Sequence, residues 1–233
     1  MLKFLKRKIK ERVGVPSTVT SLKLLRENGF NPGVIYDIGA YKGDWTKEVI
    51  KIFPSAAIYM FEAQKSKEDF LKRCKRELPG QVDFHIGLLG ATAGKEVYFN
   101  EYETASSVHS EYYKTEAITK KKILQTLDDV VDERKWPLPD FIKLDTQGYE
   151  IEILKGGSKE LHLAEAVLME VSFLEIYKDA PLFIDVINQM SYWGFQVYDI
   201  CDLMRRPLDK ALYQADIFFV RSTSKLVVNK KWG

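Results

Sequence analysis

The sequence predicts an α/β domain: a doubly wound, mostly parallel seven-stranded sheet with helices on both faces. Three observations predict it. From Val34 onward, short apolar runs of strand length alternate with segments of helical periodicity, the signature of a mostly parallel sheet. The first three strands form consecutive βα units, as in doubly wound folds. Polar residues stand where strands end, at Asp37, Glu62 and Asp145. The 233 residues suit one sizeable domain, because single cores usually grow to about 250 residues before splitting.

Ahead of the sheet, residues 1–33 form a helical extension. Lys3, Lys6, Arg7, Lys8, Lys10 and Arg12 interleave with Leu2, Phe4, Leu5, Ile9 and Val13. Such a basic amphipathic helix either packs on the domain or lies on a membrane surface. Pro16-Ser17-Thr18 opens a second helix with Leu22, Leu24 and Leu25 on its apolar face, and Asn28-Gly29 ends it.

The domain proper, 34–222, starts with strand Val34–Ile38. The helix after it carries Trp45, Val49, Ile52 and Phe53 at i, i+4, i+7 and i+8, a core-facing stripe that Pro54 closes. A second strand, 57–61, leads to a helix capped by Ser66 with Asp69 three residues on, and Phe70, Leu71, Cys74 and Leu78 facing inward. Val82–Ile86 is the third strand, and 96–99 an additional one. Residues 101–118 lack periodicity and hold Thr104, Ser106, Ser107 and His109. A loop that long in a compact domain is usually functional, and this one is expected to cover the substrate.

Phe141–Leu144 is the fourth strand, followed by a short helix over 148–154 that Gly156-Gly157 ends. The fifth strand is 166–171. A helix bearing Phe183, Val186, Ile187 and Met190, with Gly194 as its C-cap, precedes strands 195–198 and 217–220. Residues 223–233 form a basic C-terminal tail.

Composition narrows the function. Hydrophobic content of 45%, charge of 29% and a net charge of +2 are those of an ordinary globular protein, and they lack the strongly basic stripe of a nucleic-acid binder. Cys74 and Cys201 lie far apart with no C-x-x-C pair, which argues for reduced thiols, a cytoplasmic setting and no structural zinc. His85, His109 and His162 lack ligand spacing. No run of about 18 apolar residues and no signal-peptide pattern occurs.

The turn in "VIYDIGAYKGDW" gives the first functional clue. Asp37, Gly39 and Gly43 follow D-x-G-x-x-x-G, without the G-x-G-x-x-G of dinucleotide sites or the lysine order of a phosphate loop. A ligand approaching the backbone of Gly39 and Ala40 fits better, with Asp37 meeting a cationic amine. Glu62, with Ala63 beside it, stands roughly 20 residues on, where such folds place the acid that takes ribose hydroxyls. A ribose without a pyrophosphate, plus an amine, points to S-adenosylmethionine.

At this point "VIYDIGAYKGDWT", "MFEAQ", "TLDDV", "FIKLDTQGYEIEILKGG" and "LMEVSF" resemble, in order and at similar spacing, the motifs of the FkbM-type S-adenosylmethionine-dependent methyltransferases. The resemblance covers about residues 22–221, and "IYKDAPLF" and "YDICDLMRRPLDKALYQADIFFV" are similar to one branch of that family. It implies a Rossmann-like class I methyltransferase fold and methyl transfer to oxygen, often a hydroxyl of a sugar, polyketide or glycolipid. Many members carry Glu-Gly where this chain has Gln147-Gly148, so no carboxylate role passes to position 147.

A hydroxyl acceptor must lose its proton, to a base or with the help of a metal ion. Asp145 at the end of the fourth strand is the first choice of base, ahead of Glu150 and Glu170, with His109 and then His85 as alternatives. Asp145 with Glu170 is equally suited to hold Mg²⁺, which prefers oxygen ligands. Arg205, Arg206 and Asp209 are candidates for contacting the acceptor. A sugar hydroxyl on a glycan, glycolipid or secondary metabolite is the expected acceptor, at a site peripheral to a membrane if the N-terminus binds one. The competing readings are an inactive nucleoside-binding scaffold and a nicotinamide-dependent oxidoreductase, the latter disfavoured by the missing G-x-G-x-x-G.

Overall fold

A computed structural model describes residues 16–101, 106–109, 118–229 and 231–232. The basic segment up to Val13 therefore lies outside the described residues, as do Thr104 and most of the loop around it. Among the described residues, the strands are β1 Val34–Ile38, β2 Ala57–Glu62, β3 Val82–Ile86, β4 Leu88–Leu89, β5 Glu96–Glu101, β6 Ile118–Gln125, β7 Phe141–Leu144, β8 Ala166–Ser172, β9 Phe195–Arg205 and β10 Leu212–Arg221. The helices are α1 Thr18–Glu27, α2 Asp44–Ile52, α3 Glu68–Glu77, α4 Leu127–Arg134, α5 Glu150–Lys155, α6 Ser158–Leu163, α7 Phe183–Tyr192 and α8 Lys225–Val228.

Seven strands form the main sheet in the order β3-β2-β1-β7-β8-β10-β9. Neighbours are parallel except at β10, which runs antiparallel to both β8 and β9. The chain winds outward from β1 through β2 to β3, then returns to β7 on the other side of β1. The β1/β7 gap is therefore the switch point at which such sheets bind ligands.

Strand side chains alternate between faces, and the two faces carry separate cores. Tyr36, Ile38, Ile142, Leu144, Val167 and Phe219 pack under α4, α5, α6 and α7. Ile35, Ile58, Phe141, Leu168 and Phe218 pack under α1, α2 and α3, which contribute Leu22, Leu25, Val49, Leu71 and Cys74. Helix α1 is thus part of the core, and Leu226 and Val227 of α8 pack against the same cluster. The predicted layout holds: helices on both faces of a mostly parallel seven-stranded sheet.

Several local expectations do not hold. Leu24 and Phe70, assigned inward, are exposed, because α1 and α3 each bury a narrow stripe centred on Leu22/Leu25 and Leu71/Cys74. The cap assigned to Ser66 does not form, since Lys65–Lys67 make a 3-10 turn ahead of α3 and no side chain caps that helix. Ser17, in contrast, caps α1 by accepting from the Thr20 N–H at 3.3 Å. Strand β6 was not anticipated. Its Lys120, Lys121 and Lys122 hide the alternation, but they pair with Glu101 and Glu96 across β5. A three-stranded sheet, β4-β6-β5, results.

Candidate active site

A cavity of about 230 Å³ opens at the carboxyl ends of β1, β2 and β7. Its floor is the β1–α2 turn. Gly39 adopts φ +79°, and a Cβ there would stand 2.0 Å from the Asp145 carbonyl oxygen, so only glycine lets β1 and β7 end so close together. The N–H groups of Gly39 and Ala40 both bond the Phe61 carbonyl at 3.0 Å, which fixes the turn against β2. Gly39, Ala40, Glu62, Ala63 and Asp145 all line the cavity.

Glu62 is 6% exposed. Its Oε2 accepts from the Tyr41 N–H and its Oε1 from the Gln64 N–H, each at 2.7 Å, so one carboxylate ties the two loops that form the cavity rim. Burial pushes its carboxyl up, against the two N–H bonds and the Lys143 and Lys122 charges that pull it down. Next to it the cavity turns apolar, where Leu88, Phe99 and Val108 pack with Tyr149 from the opposite wall.

Two residues assigned to direct ligand contact stand elsewhere. Asp37 is fully buried under the floor, where its Oδ2 accepts from the Thr46 hydroxyl at 2.8 Å and its Oδ1 pairs with Lys143 Nζ at 3.1 Å. Its charge is already answered within the protein, so it does not meet a ligand amine. Gly43 lies behind the wall as the N-cap of α2, with φ +77°, and a Cβ there would press on Cys74 and Met60. Its glycine requirement is conformational and steric.

Lys143 was missed. It is buried on β7, level with Asp37 of β1, and its ammonium reaches Asp37, the Gly39 carbonyl at 3.2 Å and Asp145 Oδ2 at 3.6 Å, with the Trp45 ring 5.6 Å away. Burial disfavours the charge, but Asp37 and then Asp145 more than offset this and hold its pKa above that of an ordinary lysine. The alternation of "FIKLD" places Lys143 on the Asp37 face, a relation visible only once β1 and β7 are known to be neighbours.

Asp145 lines the cavity wall with a side chain 43% exposed, and Asp44 at the start of α2, also exposed, lines it too. Glu170 is set back from the cavity beside Asp145. The two are joined by Gln147, whose Nε2 lies 3.0 Å from Asp145 Oδ1 and 2.8 Å from Glu170 Oε1. Gln214 Nε2 gives Glu170 Oε1 a second donor at 2.9 Å. Burial first, then Asp145, Asp216 and Glu150, pushes the Glu170 carboxyl well above the usual range. The expected metal pair does not fit, because an amide nitrogen with its hydrogens fills the space between its two oxygens. Glu150 is also committed: its Oε1 accepts from the N–H groups of Thr146 at 2.8 Å and Gly148 at 3.3 Å.

His109 packs its ring edge-on to Tyr149, 5.7 Å between centroids, beside Gly148, while its neighbours Ser106 and Val108 reach the cavity. His85 is buried with Nε2 2.8 Å from Gln125 Oε1, and burial lowers its pKa; it is a packing residue. Arg205 and Arg206 close the β9–β10 turn, through the Lys210 carbonyl at 2.9 Å and Asp209 at 2.5 Å respectively, so these charges are used within the turn. Away from the cavity, Cys201, Asp202 and Asp216 bring three donor atoms within 4.8 Å of one another. The Thr18 hydroxyl stands among them, 2.7 Å from both carboxylates.

Sheet order, glycine turn and strand-end carboxylates together define a Rossmann-like α/β protein of the class I methyltransferase type. The sequence pattern described as the methyltransferase FkbM domain matches residues 37–197, and the chain belongs to that family. It is 26% identical over 151 residues to the hexuronic acid methyltransferase AglP of Haloferax volcanii, an alignment covering 64% of this chain and 60% of that one. Methyltransferase FkbM from Methylobacillus flagellatus KT superposes at TM-score 0.50 with 16% identity, over 79% of this chain and 43% of that one. Magnesium protoporphyrin IX methyltransferase from Synechocystis PCC 6803 does so at TM-score 0.51 with 13% identity, over 88% and 78%.

Proposed function

We propose that this chain transfers the methyl group of S-adenosylmethionine to a hydroxyl oxygen, with a sugar in a glycan, glycolipid or secondary metabolite as acceptor. The observation that carries this reading is the single cavity wall on which the glycine turn, Glu62 and Asp145 meet at the switch point of the sheet. Each Glu62 oxygen spends one acceptor site on a loop N–H, and a carboxylate oxygen has a second. Those remaining sites suit the two ribose hydroxyls. The apolar end at Leu88, Phe99 and Val108 suits the adenine ring, and the turn at Gly39 and Ala40, flanked by Lys143, suits the methionyl end.

When bound, S-adenosylmethionine supplies an electrophilic methyl group on a sulfonium. The chain's own residues align the acceptor and take its proton. Alignment of the reacting atoms is worth several kcal/mol of the barrier. Asp145 is the base of choice: it stands open on the cavity wall at the end of β7, and Lys143 and Gln147 each hold one of its oxygens. The sugar acceptor is supported by the relative named as a hexuronic acid methyltransferase.

Calorimetric titration with S-adenosylmethionine and, separately, with NAD tests the reading. Binding of the first alone, abolished in Glu62→Ala, is the expected result. A folded protein that binds neither, or that binds NAD, overturns it. With glycan acceptors in hand, Asp145→Asn is expected to lower turnover by about 10²–10⁴-fold while leaving S-adenosylmethionine binding in place.

A further inference from the structure

Gln147 is held at both ends of its carboxamide and through its backbone. Its carboxamide nitrogen faces two carboxylates, its carboxamide oxygen accepts from the Tyr177 hydroxyl at 2.5 Å, and its backbone carbonyl accepts from the Ser107 hydroxyl at 2.8 Å. The backbone is in the left-handed region, φ +57°, a strained conformation for a residue with a side chain. The orientation of the amide follows from its partners. Turning it over would set the carbonyl oxygen against two carboxylates and leave the Tyr177 hydroxyl facing an NH₂ group.

Two carboxylates that converge at a strand end repel unless protons, a cation or donors stand between them. In this chain the donors are supplied by Gln147, reinforced on Glu170 by Gln214.

We propose that the Gln147 carboxamide stands in for a cation between Asp145 and Glu170, so that this chain positions its strand-end carboxylate without a divalent metal. A carboxylate at position 147 turns the same place into a metal site. Gln147 is in these terms a positioning residue. The consequence for turnover, metal-independent methyl transfer, rests on the function proposed above, whereas the metal chemistry does not.

The test uses the full-length chain, wild type and Gln147→Glu, with Mn²⁺ as the reporter ion. Thermal melts are recorded in EDTA and in MnCl₂, and Mn²⁺ binding is followed by loss of the free-ion paramagnetic signal. The wild type is expected to melt identically in both and to leave the signal unchanged. Gln147→Glu is expected to melt lower in EDTA, to recover in MnCl₂, and to bind Mn²⁺ in a manner lost when Asp145→Asn is added. Gln147→Met, which removes the donors without adding charge, is expected to melt lower with no recovery by Mn²⁺.

Stoichiometric Mn²⁺ binding by the wild type that Asp145→Asn abolishes overturns the proposal. So does a folded Gln147→Glu that ignores the ion, or a Gln147→Met that Mn²⁺ rescues. S-adenosylmethionine titration of the wild type runs as a separate arm. Its failure removes the proposed methyl transfer and leaves the outcome of the metal arms standing.

Discussion

At the scale of single residues, the buried charges decide most. Lys143 answers Asp37 inside the core, and removing one partner of such a pair leaves an uncompensated charge at a cost of about 3–5 kcal/mol. Lys143→Met is accordingly expected to lose that much stability in urea unfolding, and Lys143→Met with Asp37→Leu to regain most of it. Glu160 is a different case. It is fully buried on α6 with neither oxygen hydrogen-bonded, and burial, with Asp128 beside it, pushes its carboxyl up to about 8. Its folded pKa lies above the unfolded value of about 4.3, so between the two the unfolded chain gives up the proton first and stability falls as pH rises. Glu160→Gln should therefore raise the melting temperature at pH 8 and change it little near pH 4; an equal gain at both excludes this account. Glu62 and Asp145 were legible in the sequence because strand-end acids need only the strand boundary to be read. Lys143, and the network through Gln147, were not, since their partners are brought together by sheet order and by a glutamine whose two ends face different elements.

At the scale of elements, the β1–α2 turn is the most constrained. Gly39→Ala sets a Cβ against the Asp145 carbonyl at 2.0 Å and forces a left-handed alanine, a conformational cost of order 1–3 kcal/mol before the clash is relieved. The turn must move, and with it the wall that Glu62 and Ala40 share. Loss of S-adenosylmethionine binding together with a lowered melting temperature is expected; a variant that binds normally would show that the turn is not the ligand floor. Strands β1, β2, β3, β7 and β8 were readable because apolar runs of strand length between turn signals leave little choice. Strand β6 was not, because its lysines are answered by glutamates on β5 across a register that no local window contains. The length of β9 and β10 escaped for the same reason: their outer halves are held by each other.

At the scale of the whole molecule, the doubly wound order was implied by βα alternation, and the structure adds how α1 joins it. Helix α1 contributes Leu22 and Leu25 to the core, and the Thr18 N–H and hydroxyl bond Asp202 from the far edge strand at 2.7 Å. A chain beginning at residue 30 loses both, leaving an apolar face open and the half-buried Asp202 and Asp216 without their Thr18 donor. It is expected to be insoluble or to melt well below the full chain, whereas a chain beginning at residue 16 should keep its fold; equal melting of the two would show α1 to be dispensable.

Trp45 has a further use. It is the tryptophan on the cavity wall, and its indole already lies 5.6 Å from the Lys143 ammonium. Arrival of a sulfonium-bearing nucleoside, with its methionyl end at the turn beside Lys143, would bring a second positive charge near that ring and change the electrostatic field across it. The molecule thus carries its own optical reporter: emission near Trp45 can follow occupancy of the cavity in real time, by stopped flow, before any acceptor is known.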